Sequence, residues 1–259
     1  MTSEVPGLPV PLELQRGSHS DRQDWIDSGL FAVDLLCRTM GRLDLTEVEI
    51  LDVGCGTKIV KTLLDHSMPV GRYVGIDVFA RLIKWLNANV SDTRFRFHEF
   101  DARNDLYNPA GRPLAEFQEL PVGSSPFDLI CLFSVFTHLA PDDYVTMLRL
   151  LRKHVKPDGR LVFSLFMNDP EHPSHIALAL QAGLASDDPA VVAETQALLD
   201  AALASKDRGF LDEVPEQPLL RARYDTDFAL ELIDGTGWDV LSVNPPEQYI
   251  QHYIVCCPA

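Results

Sequence analysis

Ile50-Leu51-Asp52-Val53-Gly54-Cys55-Gly56-Thr57 is the stretch that decides the fold. A hydrophobic run ending in Gly-x-Gly lets a buried strand turn tightly at its carboxyl end, with no Cβ to hold a ligand away from the backbone. Gly-x-Gly alone is weak evidence, and its neighbours define the ligand. A dinucleotide fingerprint needs a third glycine where this chain carries Ile59, so close packing beside a pyrophosphate is missing. An acid, Asp52, instead precedes the glycines. It suits a cationic ligand better than a pyrophosphate.

Working outward, strands and helices alternate. Glu49–Val53 reads as a strand, 58–66 as a helix, Tyr73–Asp77 as a strand and 79–90 as a helix with Leu82, Ile83 and Leu86 on one face. Phe95, Phe97, Glu99 and Phe100 mark a third strand, and 127–133 is an apolar run suited to a strand buried on both faces. Pro141 opens a helix to about Val155, with Asp142 and Asp143 where the helix dipole favours negative charge. Lys156-Pro157-Asp158-Gly159 reads as a turn before a strand over 160–166. The rhythm predicts an α/β, Rossmann-like, doubly wound sheet, mostly parallel.

The flanks divide the chain further. Residues 1–45 read as an arm followed by a helical region over 21–40, with Gly29 as the point where that helix would break. Residues 46–167 form the core, 168–222 a helical insertion after the fifth strand, and 223–259 a closing helix and strand pair. Within the insertion, Asp187-Asp188-Pro189 starts a helix whose Val191, Val192, Leu198, Leu199, Ala202 and Leu203 form an apolar stripe. Such a stripe must be covered by the domain itself, a substrate or a second subunit, so the insertion is expected to be a lid or a homodimer contact.

Composition narrows the function. A chain of 259 residues can bury a core unaided, and one domain is expected. The formal net charge of −16 repels phosphate backbones and anionic headgroups, so neither nucleic acid nor membrane is an expected partner. The five cysteines show no metal or disulfide framework, and no signal peptide or spanning segment is present in the sequence, which together predict a cytoplasmic protein.

Two more acids complete the pattern: Asp77 ends the second strand, at a distance suited to ribose hydroxyls, and Asp101 ends the third. LDVGCGT, YVGID, HEFDA, FDLICLFSVFTHL and HVKPDGRLVFS together resemble the successive motifs of class I S-adenosylmethionine-dependent methyltransferases over residues 48–166. The final helix and strand pair resemble that fold's antiparallel close. The resemblance implies S-adenosylmethionine as cofactor, with Asp52, Gly54 and Gly56 at its methionine part and Asp77 at its ribose. Asp101 and Ala102 would meet the adenine, Phe133 and Ser134 would flank the transferred methyl, and Cys55 and Val78 would belong to the same shell.

The reacting end is less defined. His138, between the fourth strand and the next helix, has an ordinary pKa of about 6.5 and is the candidate general base for a hydroxyl acceptor. Packing against the helix start is its structural alternative. His172 and His175, and Gln251 and Tyr253 on one face of the last strand with His252 on the other, are candidate substrate residues. Metal-assisted O-methyltransferases of this fold carry a carboxylate where this chain has Phe133-Ser134, so no metal is expected, with Asp169 and Glu171 as the remaining acids nearby. FSVFTHL is similar to a segment of bacterial enzymes that methylate sugars, and a mycobacterial-type sugar O-methyltransferase is the expected subtype. An N-methyltransferase and a non-catalytic S-adenosylmethionine-binding protein are the alternatives.

Overall fold

The computed structural model describes residues 7–15, 22–169, 171, 175–204, 208–214, 217–247 and 251–259. Five parallel strands, β1 (Leu45–Val53), β2 (Val70–Asp77), β3 (Phe95–Glu99), β4 (Phe127–Leu132) and β5 (Val155–Asn168), lie in the order β3-β2-β1-β4-β5. β9 (His252–Pro258) runs antiparallel to β5, and β8 (Trp238–Asn244) antiparallel to β9. The doubly wound sheet with an antiparallel close is therefore present. Strand alternation divides the core into two layers: Leu51, Ile130, Leu132 and Phe163 face one, and Ile50, Leu129, Cys131 and Val162 the other.

Helix α1 (Arg22–Met40) runs unbroken through Gly29, contrary to the expected break. A Cβ at Gly29 would lie 2.1 Å from Thr62 Oγ1 of α2 (Lys58–Asp65), so this glycine permits close helix packing. Helices α3 (Ala80–Asn89) and α4 (Pro141–Arg152) complete the core crossovers. The 156–159 turn lies inside β5 as an irregularity: Phe127 pairs with Val155, whereas Leu129 pairs with Arg160.

The insertion holds more strand than the sequence reading expected. Helices α5 (His175–Leu184) and α6 (Pro189–Ala204) form a hairpin. It is followed by β6 (Phe210–Asp212) and β7 (Ala222–Asp225), and β7 pairs in parallel with Phe166–Asn168 at the extended end of β5. These strands are too short for an alternating pattern, and buried Arg223, paired with Glu213, disguises β7 as a polar loop. Helix α7 (Thr226–Glu231) leads through Gly235 and Gly237, at φ 68° and 88°, into β8. On α6, Val191 and Leu198 of the apolar stripe are 40% and 54% exposed, whereas Val192 and Leu199 are half-buried. Among the described residues no helix is long and apolar enough to cross a membrane, and all five cysteines are free.

Candidate active site

The turn after β1 brings backbone to the carboxyl edge of the sheet. Gly54 and Gly56 take φ values of 69° and 50°, and a Cβ on Gly54 would meet Val135 Cγ2 at 2.5 Å. The Gly54 and Cys55 N–H groups both donate to the Ile76 carbonyl, at 2.8 and 3.0 Å, fixing the turn against β2. Two chambers open on this turn. They share Gly54, Gly56, Lys58, Phe133, Ser134 and Gln251, so they form one continuous cleft. The chamber beneath α1 has a volume of about 150 Å³, and the one towards α4 and β7 about 580 Å³.

Asp52 and Asp77 line this cleft from neighbouring strands. Asp52 is 2% exposed and accepts the Tyr73 hydroxyl at 2.5 Å. Burial pushes its pKa up to about 7, against the Tyr73 hydroxyl and Cys131 thiol that hydrogen-bond to it and hold it down. Cys55 is buried beside it, and burial likewise pushes its thiol up. Asp77 accepts the Gly56 N–H at 3.0 Å on Oδ2 and the Phe79 N–H at 2.9 Å on Oδ1. Val78 and Ala102 join Asp77 in the larger chamber, but Asp101 does not. Its exposed side chain turns to Asn108 Nδ2, at 3.0 Å, because the chain folds back through a bridge between Ala102 and Arg112. Phe100, from the same segment, lines the larger chamber.

At the end of β4, Ser134 is a non-glycine residue at φ 56°, a conformation that persists only when neighbours hold it. Its N–H donates to buried Ser164 Oγ at 2.9 Å, Ser164 Oγ donates to Gln251 Oε1 at 2.6 Å, and Gln251 Nε2 donates to Ser134 Oγ at 2.7 Å. Gln251 thus reaches the junction of the two chambers. Tyr253, on the same face, lines the smaller chamber, and its hydroxyl donates to Glu247, which also receives a two-pronged contact from Arg38 at 3.0 and 3.2 Å. His252 faces the other way, with Nε2 3.0 Å from Asp169 Oδ2. His172 lies outside the described residues, and His175 is described only as the first backbone position of α5.

His138 ends a short 3₁₀ turn, Phe136–His138, and lines the larger chamber. Its Nδ1 lies 3.0 Å from the Leu219 carbonyl oxygen. A carbonyl can only accept, so Nδ1 carries the proton and Nε2 keeps its lone pair. Burial lowers the imidazole pKa and Arg221 adds to the effect, while the carbonyls of Leu219 and Leu220 oppose it. Asp143 and Arg221 line the same chamber. Burial, and then neighbouring Asp142, raise the Asp143 pKa. From the sequence, Asp142-Asp143 is assigned to helix initiation and Arg221 is not singled out; Arg221 comes to the site on the bend that leads into the unforeseen β7.

Among the described residues, three residues that line the cleft each carry a fully buried polar atom with no hydrogen-bond partner: Trp25 Nε1, Thr57 Oγ1 and Thr137 Oγ1. The bare glycine turn, two inward acids and a cleft of this size suit a cationic nucleoside. Among the described residues no group of three or more His, Cys, Asp and Glu side chains is placed to hold a metal ion.

This fold and site define a class I S-adenosylmethionine-dependent methyltransferase. Residues 22–205 match the family described as methyltransferase domain, and the chain belongs to that family. Among solved structures, it is similar to the Burkholderia thailandensis 1,6-didemethyltoxoflavin-N1-methyltransferase with bound 1,6-didemethyltoxoflavin and S-adenosylhomocysteine. There the TM-score is 0.54 and the identity 14%, over 92% of this chain and 80% of the other. It also resembles the mitomycin 7-O-methyltransferase MmcR, with TM-score 0.53 and 15% identity over 92% of this chain and 57% of that one. The pyocyanin biosynthetic protein PhzM matches with TM-score 0.52 and 17% identity, over 89% of this chain and 56% of that one. The chain therefore spans a little over half the length of the last two, and at these identities the likeness is one of fold.

Proposed function

We propose that the protein transfers a methyl group from S-adenosylmethionine to a hydroxyl of a small polar molecule, in the class of sugars and polysaccharide precursors. The observation that carries this reading is His138, held by the Leu219 carbonyl in the tautomer whose Nε2 can accept a proton, on the wall of the larger chamber. When bound, the cofactor supplies an already activated methyl carbon. Asp52, Gly54 and Gly56 would hold its methionine part, Asp77 its ribose, and Val78, Phe100 and Ala102 its base. Phe133 and Ser134 lie between the chambers, where the methyl would pass. His138 Nε2 takes the proton of the acceptor hydroxyl as its oxygen closes on carbon, and Arg221, Asp143 and Asn104 offer the polar wall that such an acceptor needs. No metal is required in this scheme.

A second reading, transfer to nitrogen, is favoured by Asp143, whose carboxylate can face an amine. The two are separated by offering matched hydroxyl and amino compounds on one scaffold and locating the labelled methyl in the product by NMR. Methyl on oxygen supports the proposal, and methyl confined to nitrogen overturns it.

The hairpin of α5 and α6 is proposed as a subunit contact, because Leu178, Val191 and Leu198 remain exposed on it. Leu198→Glu is expected to shift the sedimentation coefficient from dimer to monomer, since a carboxylate is costly to bury without a partner. An unchanged size would remove the hairpin from any interface. Free thiols suit a cytoplasmic enzyme, and the net charge of −16 disfavours nucleic-acid partners.

A further inference from the structure

One positive charge in the larger chamber has no counterpart. Two arginines line that chamber, Arg103 and Arg221. Arg103 pairs with Asp105 at 3.1 Å. Arg221 is half-buried and has no ion pair or side-chain hydrogen bond among the described residues. Its Cζ lies 5.7 Å from the centroid of the Phe166 ring, which lines the same chamber, so the guanidinium stands on the chamber wall. The same charge adds to burial in lowering the pKa of His138, across that wall. Arg223 makes the contrast: with Cζ 5.5 Å from the same ring, it is buried and paired with Glu213. The chain has 38 Asp and Glu against 22 Lys and Arg, so acidic partners are plentiful, yet Arg221 stands in the cleft without one.

The bend that carries Arg221 is fixed from several sides. Leu219 sits at φ 58°, held by its N–H donating to Asp212 Oδ2 at 2.8 Å and by its carbonyl on His138 Nδ1 at 3.0 Å. The Arg221 carbonyl accepts the Glu213 N–H at 3.0 Å. His138 and the guanidinium therefore share one rigid segment, and a ligand anchored by Arg221 is registered against the histidine.

We infer that Arg221 binds a carboxylate of the methyl acceptor, which makes the substrate a hydroxy acid and, within the sugar class, a uronic acid in place of a neutral sugar. This rests on the reading of the larger chamber as the acceptor site. A planar guanidinium takes a carboxylate through two parallel N–H···O bonds, and one positive charge balances one negative. A phosphate monoester carries about −1.5 to −2 at neutral pH, more than this wall answers. Arg103 already has Asp105, and Lys58 stands at the glycine turn shared with the smaller chamber. Asp143, in the same chamber, is pushed towards its neutral form by burial and then by Asp142, which limits its repulsion of an acid.

Calorimetry on the full chain loaded with S-adenosylhomocysteine tests this with glucose, glucuronate and glucose 6-phosphate, and with the matching galactose series. Each carboxylate should bind at least tenfold tighter than its neutral partner, the gain expected of hydrogen bonds to a charged group. Arg221→Gln should abolish that difference while S-adenosylhomocysteine affinity stays within twofold, a pattern that a merely structural role of Arg221 would not give. Should Arg221→Gln fail to fold, Arg221→Met, which keeps an unbranched stem beside Phe166, takes its place. Equal binding of acid and neutral sugar, binding of neither, a preference for phosphate, or an acid preference that survives the substitution would overturn the inference. Methyl transfer is read separately. Arg221-dependent carboxylate binding without transfer fails the proposed activity and not the carboxylate site, whereas transfer to neutral hydroxyls with no acid preference fails the site alone.

Discussion

His138→Ala is expected to lower kcat by about 10²–10⁴-fold while leaving S-adenosylmethionine affinity within a few-fold. A hydroxyl is too weak an acid to attack without losing its proton as the new bond forms, and His138, with Nδ1 tied to the Leu219 carbonyl, lines the larger chamber and is the proposed acceptor. The pH dependence follows from the direction of its shift. Burial and Arg221 hold the imidazole pKa below its ordinary value, so the residue is neutral and competent at neutral pH. The rate should fall only as pH drops below about 6.5, when imidazolium can no longer accept a proton. Single-turnover rates at saturating cofactor and acceptor check both statements. If His138 serves only to tie the 3₁₀ turn to Leu219, His138→Ala will lose stability and keep its rate per bound complex. The base would then be sought elsewhere in the same chamber, with Asp143 first.

Asp77→Ala should weaken S-adenosylhomocysteine binding by about one to two orders of magnitude, the ~1.5–3 kcal/mol of hydrogen bonds to a charged acceptor. Two effects combine in this variant. The ribose hydroxyls lose their acceptor, and the Gly56 N–H, now 3.0 Å from Asp77 Oδ2, loses the contact that pins the glycine turn. Asp77→Asn retains one oxygen and should fall between the two proteins. Calorimetry on all three chains, with circular dichroism to show an intact fold, measures the series. Affinity unchanged in Asp77→Ala would take the ribose away from β2.

The parallel core was legible because its signals are strong and local. β1, β2 and β4 carry short apolar runs, β3 alternates aromatic and polar residues, and Asp52, the two glycines and Asp77 fall at fixed places on the edges of β1 and β2. The closing strands were legible for the same reason, and Gln251 and Tyr253 share a face as their alternation required, with His252 opposite. Gly29 misled because helix propensity counts it as a breaker, whereas its value here is the absent side chain against Thr62, a tertiary fact. Asp101 follows the end of β3, and its carboxylate accepts from Asn108 where the chain returns through Ala102, a contact no pattern of letters shows. The reacting half of the cleft was the least legible. Arg221 arrives just ahead of β7, a strand too short to show a period, and Ser164 acts only through contacts with Ser134 and Gln251.

The most direct test of the account is consumption of the cofactor. Protein incubated with S-adenosylmethionine and a panel of hydroxylated small molecules should form S-adenosylhomocysteine in proportion to enzyme, with one equivalent of methyl appearing on an acceptor oxygen. S-adenosylmethionine that binds tightly and is returned unconsumed across a panel of both hydroxyl and amine acceptors would contradict it, and would make the chain a binding protein in place of a methyltransferase.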